Sequence, residues 1–160
     1  MVWKSMFLLL VTLFLVGLTV EAYSSCPDGW VPFGHNCYYF STSTTNWYNA
    51  QKYCLGKGAS LVCLSNSIEW LFIVKRIRQI NTVYGTKDYW IGANDIASEG
   101  TWRCANGIPG YLRWYTGEPN NSGNEDCAHL YPNGYMNDRE CQNSSSCRFI
   151  CEKAVFAVEK

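Results

Sequence analysis

Histidine occurs only twice in this chain, and neither sign of charge is in excess: 13 Lys and Arg stand against 13 Asp and Glu, a formal net charge of zero. That balance supplies no basic footprint for a phosphate backbone, so nucleic acid is not an expected partner. His35 in the stretch GHNC and His129 in CAHLY have no evident partner for acid–base or nucleophilic work, and they are too few for a zinc cluster with the cysteines. The acidic residues near position 120 could imitate a glycosidase dyad, but their company of amides suits metal coordination better. The expectation is a protein that is not an enzyme. Internal repeats, low-complexity tracts and linkers are also lacking, and beyond residue 22 no run is apolar enough to span a bilayer.

What is present points outside the cell. Lys4, an apolar run from Met6 to Leu15 continuing to Val20, and the small Ala22 before Tyr23 have the layout of a secretory signal. The rival reading, a membrane anchor, meets a run short for a span with no charged stop after it. Residues 1–22 are therefore expected to be removed, leaving residues 23–160 as one secreted domain large enough for a single core. Nine cysteines in such a chain read as a disulfide framework, and the odd number means at least one has no bridge within the chain. Seven Trp and eleven Tyr are available to fill a core or touch a ligand.

Local patterns give the element order. CPDGWVPFGHNCYYF carries turn signals between Cys26 and Cys37 and ends in an aromatic strand, which predicts a hairpin with a local bridge. Trp47, Ala50 and Cys54 recur at helical spacing, and Gly56 or Gly58 can end that helix. A short strand SLVCL follows. Asn66 with Glu69 three residues on resembles a capping box for a second helix, whose Trp70, Val74 and Ile77 share a face. From DYWIGAN onwards short aromatic strands alternate with Gly, Asn and Pro, so the pattern is α+β.

The stretch GEPNNSGNEDC gathers Glu118, Asn120, Asn121, Asn124, Glu125 and Asp126 around one proline. These residue types also form ordinary turns. Their carboxylates and amide carbonyls are also the inventory a calcium ion needs, since it takes about six to eight oxygen ligands.

In order, CPDGW, WIGA (Trp90–Ala93), EPN (Glu118–Asn120), ND (Asn137–Asp138) and FICEK make the chain from Cys26 to Lys153 resemble a long-form C-type lectin-like domain. The resemblance implies a fold of two helices, short antiparallel sheets and a long calcium-binding loop region, stapled by bridges Cys26–Cys37, Cys54–Cys151 and Cys127–Cys141. It maps a principal Ca2+ site onto Glu118, Asn120, Glu125, Asn137 and Asp138, with Glu118, Asn120, Glu125 and Asn137 also meeting a sugar. An auxiliary site maps onto Asp95, Glu99, Asn121, Glu125 and Asp126. In the calcium-loaded family fold the Glu118–Pro119 bond is cis. Glu-Pro-Asn resembles the family's selector for equatorial 3- and 4-hydroxyls, as in mannose or N-acetylglucosamine.

Several features depart from the family pattern or leave it open. Met136 stands where the family commonly has Trp, a change expected to loosen the loop unless the thioether fills the space. Cys63, Cys104 and Cys147 are extra. With Cys147 and Cys151 on one face of the last strand by the two-residue period, and the resemblance implying that this strand lies beside SLVCL, the expectation is Cys63–Cys147, leaving Cys104 free or joining two chains into a homodimer. Trp114, Tyr115, Tyr131 and Tyr135 flank the loops and could turn preference toward galactose, although packing roles suit them equally. Asn143 reads as a glycosylation acceptor, whereas Asn120 is both a sequon and a ligand of the expected site. The expected partners are glycans on microbial or cell surfaces, in defence or agglutination. The competing expectation is a partner-binding or mineral-matrix protein on the same fold.

Overall fold

The computed structural model describes residues 26–104, 107–143 and 147–155, so the expected signal lies outside the described residues. Cys26–Val155 form one compact unit. Strands β1 (Val31–Phe33) and β2 (Asn36–Phe40) make the predicted hairpin, closed by Cys26–Cys37. They are followed by α1 (Trp47–Gly56), β3 (Ser60–Leu61), α2 (Ser67–Tyr84), β4 (Asp88–Asn94), β5 (Cys127–Leu130), β6 (Met136–Arg139) and β7 (Cys147–Ala154).

The sheet runs β1-β2-β7-β4-β5-β6, with β3 paired to β7 off this path. The last strand does the joining: its C-terminal half is antiparallel to β2 and β3, and its first residues run parallel to β4. Cys54–Cys151 bolts α1 to this shared strand. Beyond it, β4, β5 and β6 form an antiparallel ladder that carries the long-loop half of the molecule.

Capping explains where α2 starts. The Asn66 side chain accepts the amides of Ile68 and Glu69, as a cap should. Glu69 does not complete a reciprocal box. Its carboxylate instead takes the Ser65 amide and hydroxyl and the Tyr38 hydroxyl, so it serves tertiary structure. Val74 and Ile77 lie buried on the face of α2 foreseen from their spacing, with Trp70 half-buried beside them.

Two cores result. One lies between α2 and the sheet and contains Tyr38, Val62, Ile73, Tyr89, Ile91, Leu130 and Met136. The other surrounds α1, where the Trp47 indole donates to the Ile91 carbonyl at 2.7 Å and the Trp90 indole to that of Thr45 at 2.8 Å. Gly92 is required between them: a Cβ there would stand 2.8 Å from the Leu61 carbonyl oxygen.

The extra cysteines pair differently from expectation. The structure joins Cys63 to Cys104 and leaves Cys147 as a buried thiol, toward which an Arg139 guanidinium N–H donates at 3.5 Å. Ser60 opposes Glu152 and Leu61 opposes Cys151, so the same register continued puts Cys63 opposite Phe149, short of Cys147. Meanwhile the segment after β4 turns back across the end of β3, where the Tyr111 amide donates to the Leu64 carbonyl at 2.6 Å. That fold-back brings Cys104 to Cys63. With Cys104 bonded inside the chain, it provides no link to a second copy.

Candidate functional site: a carboxylate-rich loop on a stapled hairpin

The loop between Gly117 and Asp126 is anchored at both ends. Cys127–Cys141 ties the start of β5 to the residue beyond β6. Upstream, the Met136 amide donates to the Arg113 carbonyl and the Tyr115 amide to the Met136 carbonyl, both at 2.8 Å. Met136 itself is fully buried, and its Sδ accepts the Arg113 amide at 3.4 Å. The departure from the family's Trp thus leaves a filled seat, and no slack in the loop need follow.

Asp138, on β6 opposite Ala128, organises the loop from below. Its Oδ2 accepts the Asn120 amide at 3.0 Å and the Asn121 amide at 2.7 Å. Asn121 and Asn124 hold positive φ, of 48° and 70°, which short amide side chains tolerate. The Asn121 Oδ1 accepts the Glu125 amide at 2.7 Å, and the Asn120 Oδ1 accepts that of Ser122 at 2.9 Å. The Glu118–Pro119 bond is cis, as the resemblance implied. On β6 the Asn137 side chain donates to the Asp138 carbonyl at 2.5 Å.

Two oxygens of this set, Glu118 Oε2 and Asp138 Oδ1, are buried without a hydrogen-bond partner. Such atoms are costly to leave unmatched, and their occurrence on the loop and on β6, the strand whose Asp138 holds that loop, fits a cation. The electrostatics agree. Burial, then the neighbouring Asp138 carboxylate, pushes the Glu118 carboxyl above its usual range. Glu125 is raised by burial and then by the charges of Asp138 and Glu118, against the Ser122 backbone and Arg139, which pull down.

The auxiliary set is partly assembled. Asp95, Glu99 and Asp126 bring ligand oxygens within 4.8 Å of one another. Asp95 is nearly inaccessible; its Oδ2 accepts the Gly100 amide at 2.8 Å while Oδ1 has no partner. Its carboxyl is raised by burial and further by Asp126 and Asp138. Asn121 belongs with Asp138 through its amide, and Asp126 is drawn to Asn124, whose side chain donates at 2.8 Å.

The flanking aromatics divide. Trp114 packs edge-on against Trp102 at 4.6 Å and belongs to the scaffold. Tyr115 and Tyr131, with Pro132 and Asn133, line an open cleft of about 420 Å³. Pro132 and Asn133 gave no functional signal in sequence; only an aromatic-Pro-Asn-Gly turn was readable. His129 is wholly buried beneath Tyr131, and burial first, then Arg139, pulls its pKa down to about 3. It is a structural neutral imidazole.

Hairpin, two capped helices, shared C-terminal strand and a disulfide-bracketed oxygen-rich loop define a disulfide-stapled α+β binding domain. The chain belongs to the C-type lectin domain family, whose model matches residues 43–153. It is 39% identical over 131 residues to human C-type lectin domain family 17, member A, covering 81% of this chain and 32% of that protein. It is 38% identical over 132 residues to a perlucin-like protein of Mytilus galloprovincialis, covering 79% of this chain and 82% of the other. The chain thus spans about a third of the human relative but most of the mussel one. The mouse scavenger receptor C-type lectin carbohydrate-recognition domain has a similar structure, with TM-score 0.73 and 33% identity over 82% of this chain and 100% of that domain.

Proposed function

We propose that this lectin is secreted, depends on calcium and recognises mannose-type sugars through Glu118, Asn120, Glu125, Asn137 and Asp138. The observation that carries the reading is the pair of buried, unmatched carboxylate oxygens on Glu118 in the loop and on Asp138 of β6. Three carboxylates and two amides supply the hard oxygen donors calcium takes. Asp95, Glu99, Asn121 and Asp126 would hold a second ion, a reading supported by the convergence of three of them.

Bound at the principal site, calcium would supply open coordination positions for two vicinal sugar hydroxyls. Glu118 and Glu125 accept the protons of those hydroxyls, and the Asn120 and Asn137 amides donate to their oxygens. Asn120 is suited to this because its Oδ1 is engaged by Ser122, leaving the Nδ2 hydrogens to donate. The Glu-Pro-Asn order supports equatorial 3- and 4-hydroxyls. An occupied glycan at Asn120 is incompatible with this role, whereas Asn143 is exposed and free of it.

A glycan array probed with the mature chain, in calcium and again with a chelator, tests the reading. Chelator-sensitive binding to mannose or N-acetylglucosamine structures is expected, and Glu118→Gln with Asn120→Asp should turn it toward galactose. Glycan binding indifferent to the chelator, or none from folded protein, would remove the calcium-lectin reading.

A further inference from the structure

Strand β6 carries Asn137 and Asp138, yet it ends the sheet, with β5 its only strand neighbour in that order among the described residues. The ladder therefore fixes it along one edge. We propose that Trp70 and Arg113 are positioning residues for calcium: they clamp the β5–β6 turn and the segment 113–118 to α2, and so hold Asn137 and Asp138 on one side and Glu118 on the other in register for one ion. The proposal rests on the calcium reading of the loop and deepens it, by naming what sets the affinity of that site from behind.

The turn is held to the helix through its carbonyls. The Trp70 indole N–H donates to the Gly134 carbonyl at 2.7 Å, and Arg78 Nε donates to that of Pro132 at 2.9 Å. Contact is close enough to demand glycine: Gly134 has φ of 96°, and a Cβ on it would stand 2.5 Å from the Trp70 ring. Within the turn the Gly134 amide donates to the Tyr131 carbonyl and the Tyr131 amide to that of Tyr135, both at 2.9 Å. These bonds carry the constraint to Met136, the first residue of β6, and Asn137 and Asp138 come next.

The Glu118 side is held by the same indole. The Arg113 guanidinium lies 4.2 Å from the Trp70 ring centre and 5.4 Å from that of Tyr135, a cation between two rings. Arg113 and Tyr115 are bonded through their backbones to Met136, and the Glu118 amide donates to the Tyr115 carbonyl at 2.9 Å. Trp70 thus touches the segments that lead to both groups of ligands, through one hydrogen bond and one stacking contact. Groups behind metal ligands tune affinity by fixing ligand orientation.

The test is calorimetric titration with calcium alone, together with melting temperatures in a chelator. Trp70→Phe keeps a ring in the seat and removes the indole donor; Arg113→Lys keeps the charge and removes the planar group that stacks. Each should weaken calcium binding about three- to tenfold, the size of one hydrogen bond or cation–ring contact. Ile77→Val, fully buried on the same helix but within the core, should lower the melting temperature and leave calcium affinity unchanged. By reciprocity, calcium should slow hydrogen exchange of the Trp70 indole in the wild type. Unchanged calcium affinity in Trp70→Phe or Arg113→Lys, an equal loss in Ile77→Val, or indole exchange indifferent to calcium would overturn the clamp while the calcium reading stands. A folded wild type that binds no calcium would overturn both.

Discussion

Asp138 has one oxygen committed to the protein and one uncommitted. Oδ2 fixes the Asn120 and Asn121 amides, so it shapes the loop, while the buried Oδ1 awaits a partner. Asp138→Ala removes both functions. Calorimetric titration should find calcium affinity reduced by more than tenfold and sugar binding lost, with the disulfide-bonded fold retained in circular dichroism; normal sugar binding by this variant would refute the assignment. The raised Glu118 and Glu125 carboxyls carry a pH signature. Each takes up a proton at higher pH than an ordinary glutamate, so protons displace calcium earlier as pH falls. Calcium affinity measured from pH 7.5 downward should begin to decline above the ordinary glutamate range near about pH 4.3.

At the scale of elements, Cys63–Cys104 is the distinctive constraint. It ties the end of β3 to the segment after β4 that carries Asp95 and Glu99, across a sequence separation of 41. Closing a loop of that length is worth about 4 kcal/mol in the chain-entropy account. Replacing both cysteines by alanine should lower unfolding free energy in urea by up to that amount and weaken any second calcium site more than the principal one. Equal weakening of both would show that the bridge does not act through the Asp95 segment. Gly92 is a second element-level constraint, because β4 approaches the β3 backbone too closely for any side chain. Gly92→Ala should cost about 1–3 kcal/mol by overpacking, read from the same denaturation curves.

Across the whole molecule, a partly buried acid cluster joins the hairpin, the start of α2 and the last strand. Glu152 accepts the Asn36 side chain at 2.6 Å and the Cys63 amide at 3.1 Å, and the Tyr38 hydroxyl bridges it to Glu69. Burial, then the Glu69 charge, raises the Glu152 pKa from 4.5 to about 7. Because the folded value exceeds the unfolded one, its contribution is fully present below about pH 4.5 and is lost as pH rises through about 7. Glu152→Gln should therefore be more stable than the wild type at pH 8, by on the order of 2–3 kcal/mol, with no such advantage at pH 4. Urea unfolding at the two pH values measures this; a difference independent of pH would refute it. Buried His129 has the opposite sign, losing stability as pH falls below about 6.5, but its effect cancels between the two proteins.

Periodicity and caps made the hairpin, both helices and the α+β order legible, because each depends on residues close in the chain. Three bridges and the cis Glu118–Pro119 bond followed from the resemblance carried by the motifs. The oxygen inventory of the loop was likewise readable, since residue type alone determines which side chains can offer hard donors. Tertiary structure alone decided that Cys63 meets Cys104, because the choice depends on a fold-back over β3 and not on strand period. It also decided that Asp138 lies beneath the loop with one oxygen uncommitted, that Glu69 and Glu152 share a partly buried cluster, and that Tyr115 and Tyr131 wall a cleft while Trp114 packs into the scaffold. Those outcomes depend on distance and burial between segments far apart in sequence, which residue type and spacing do not encode.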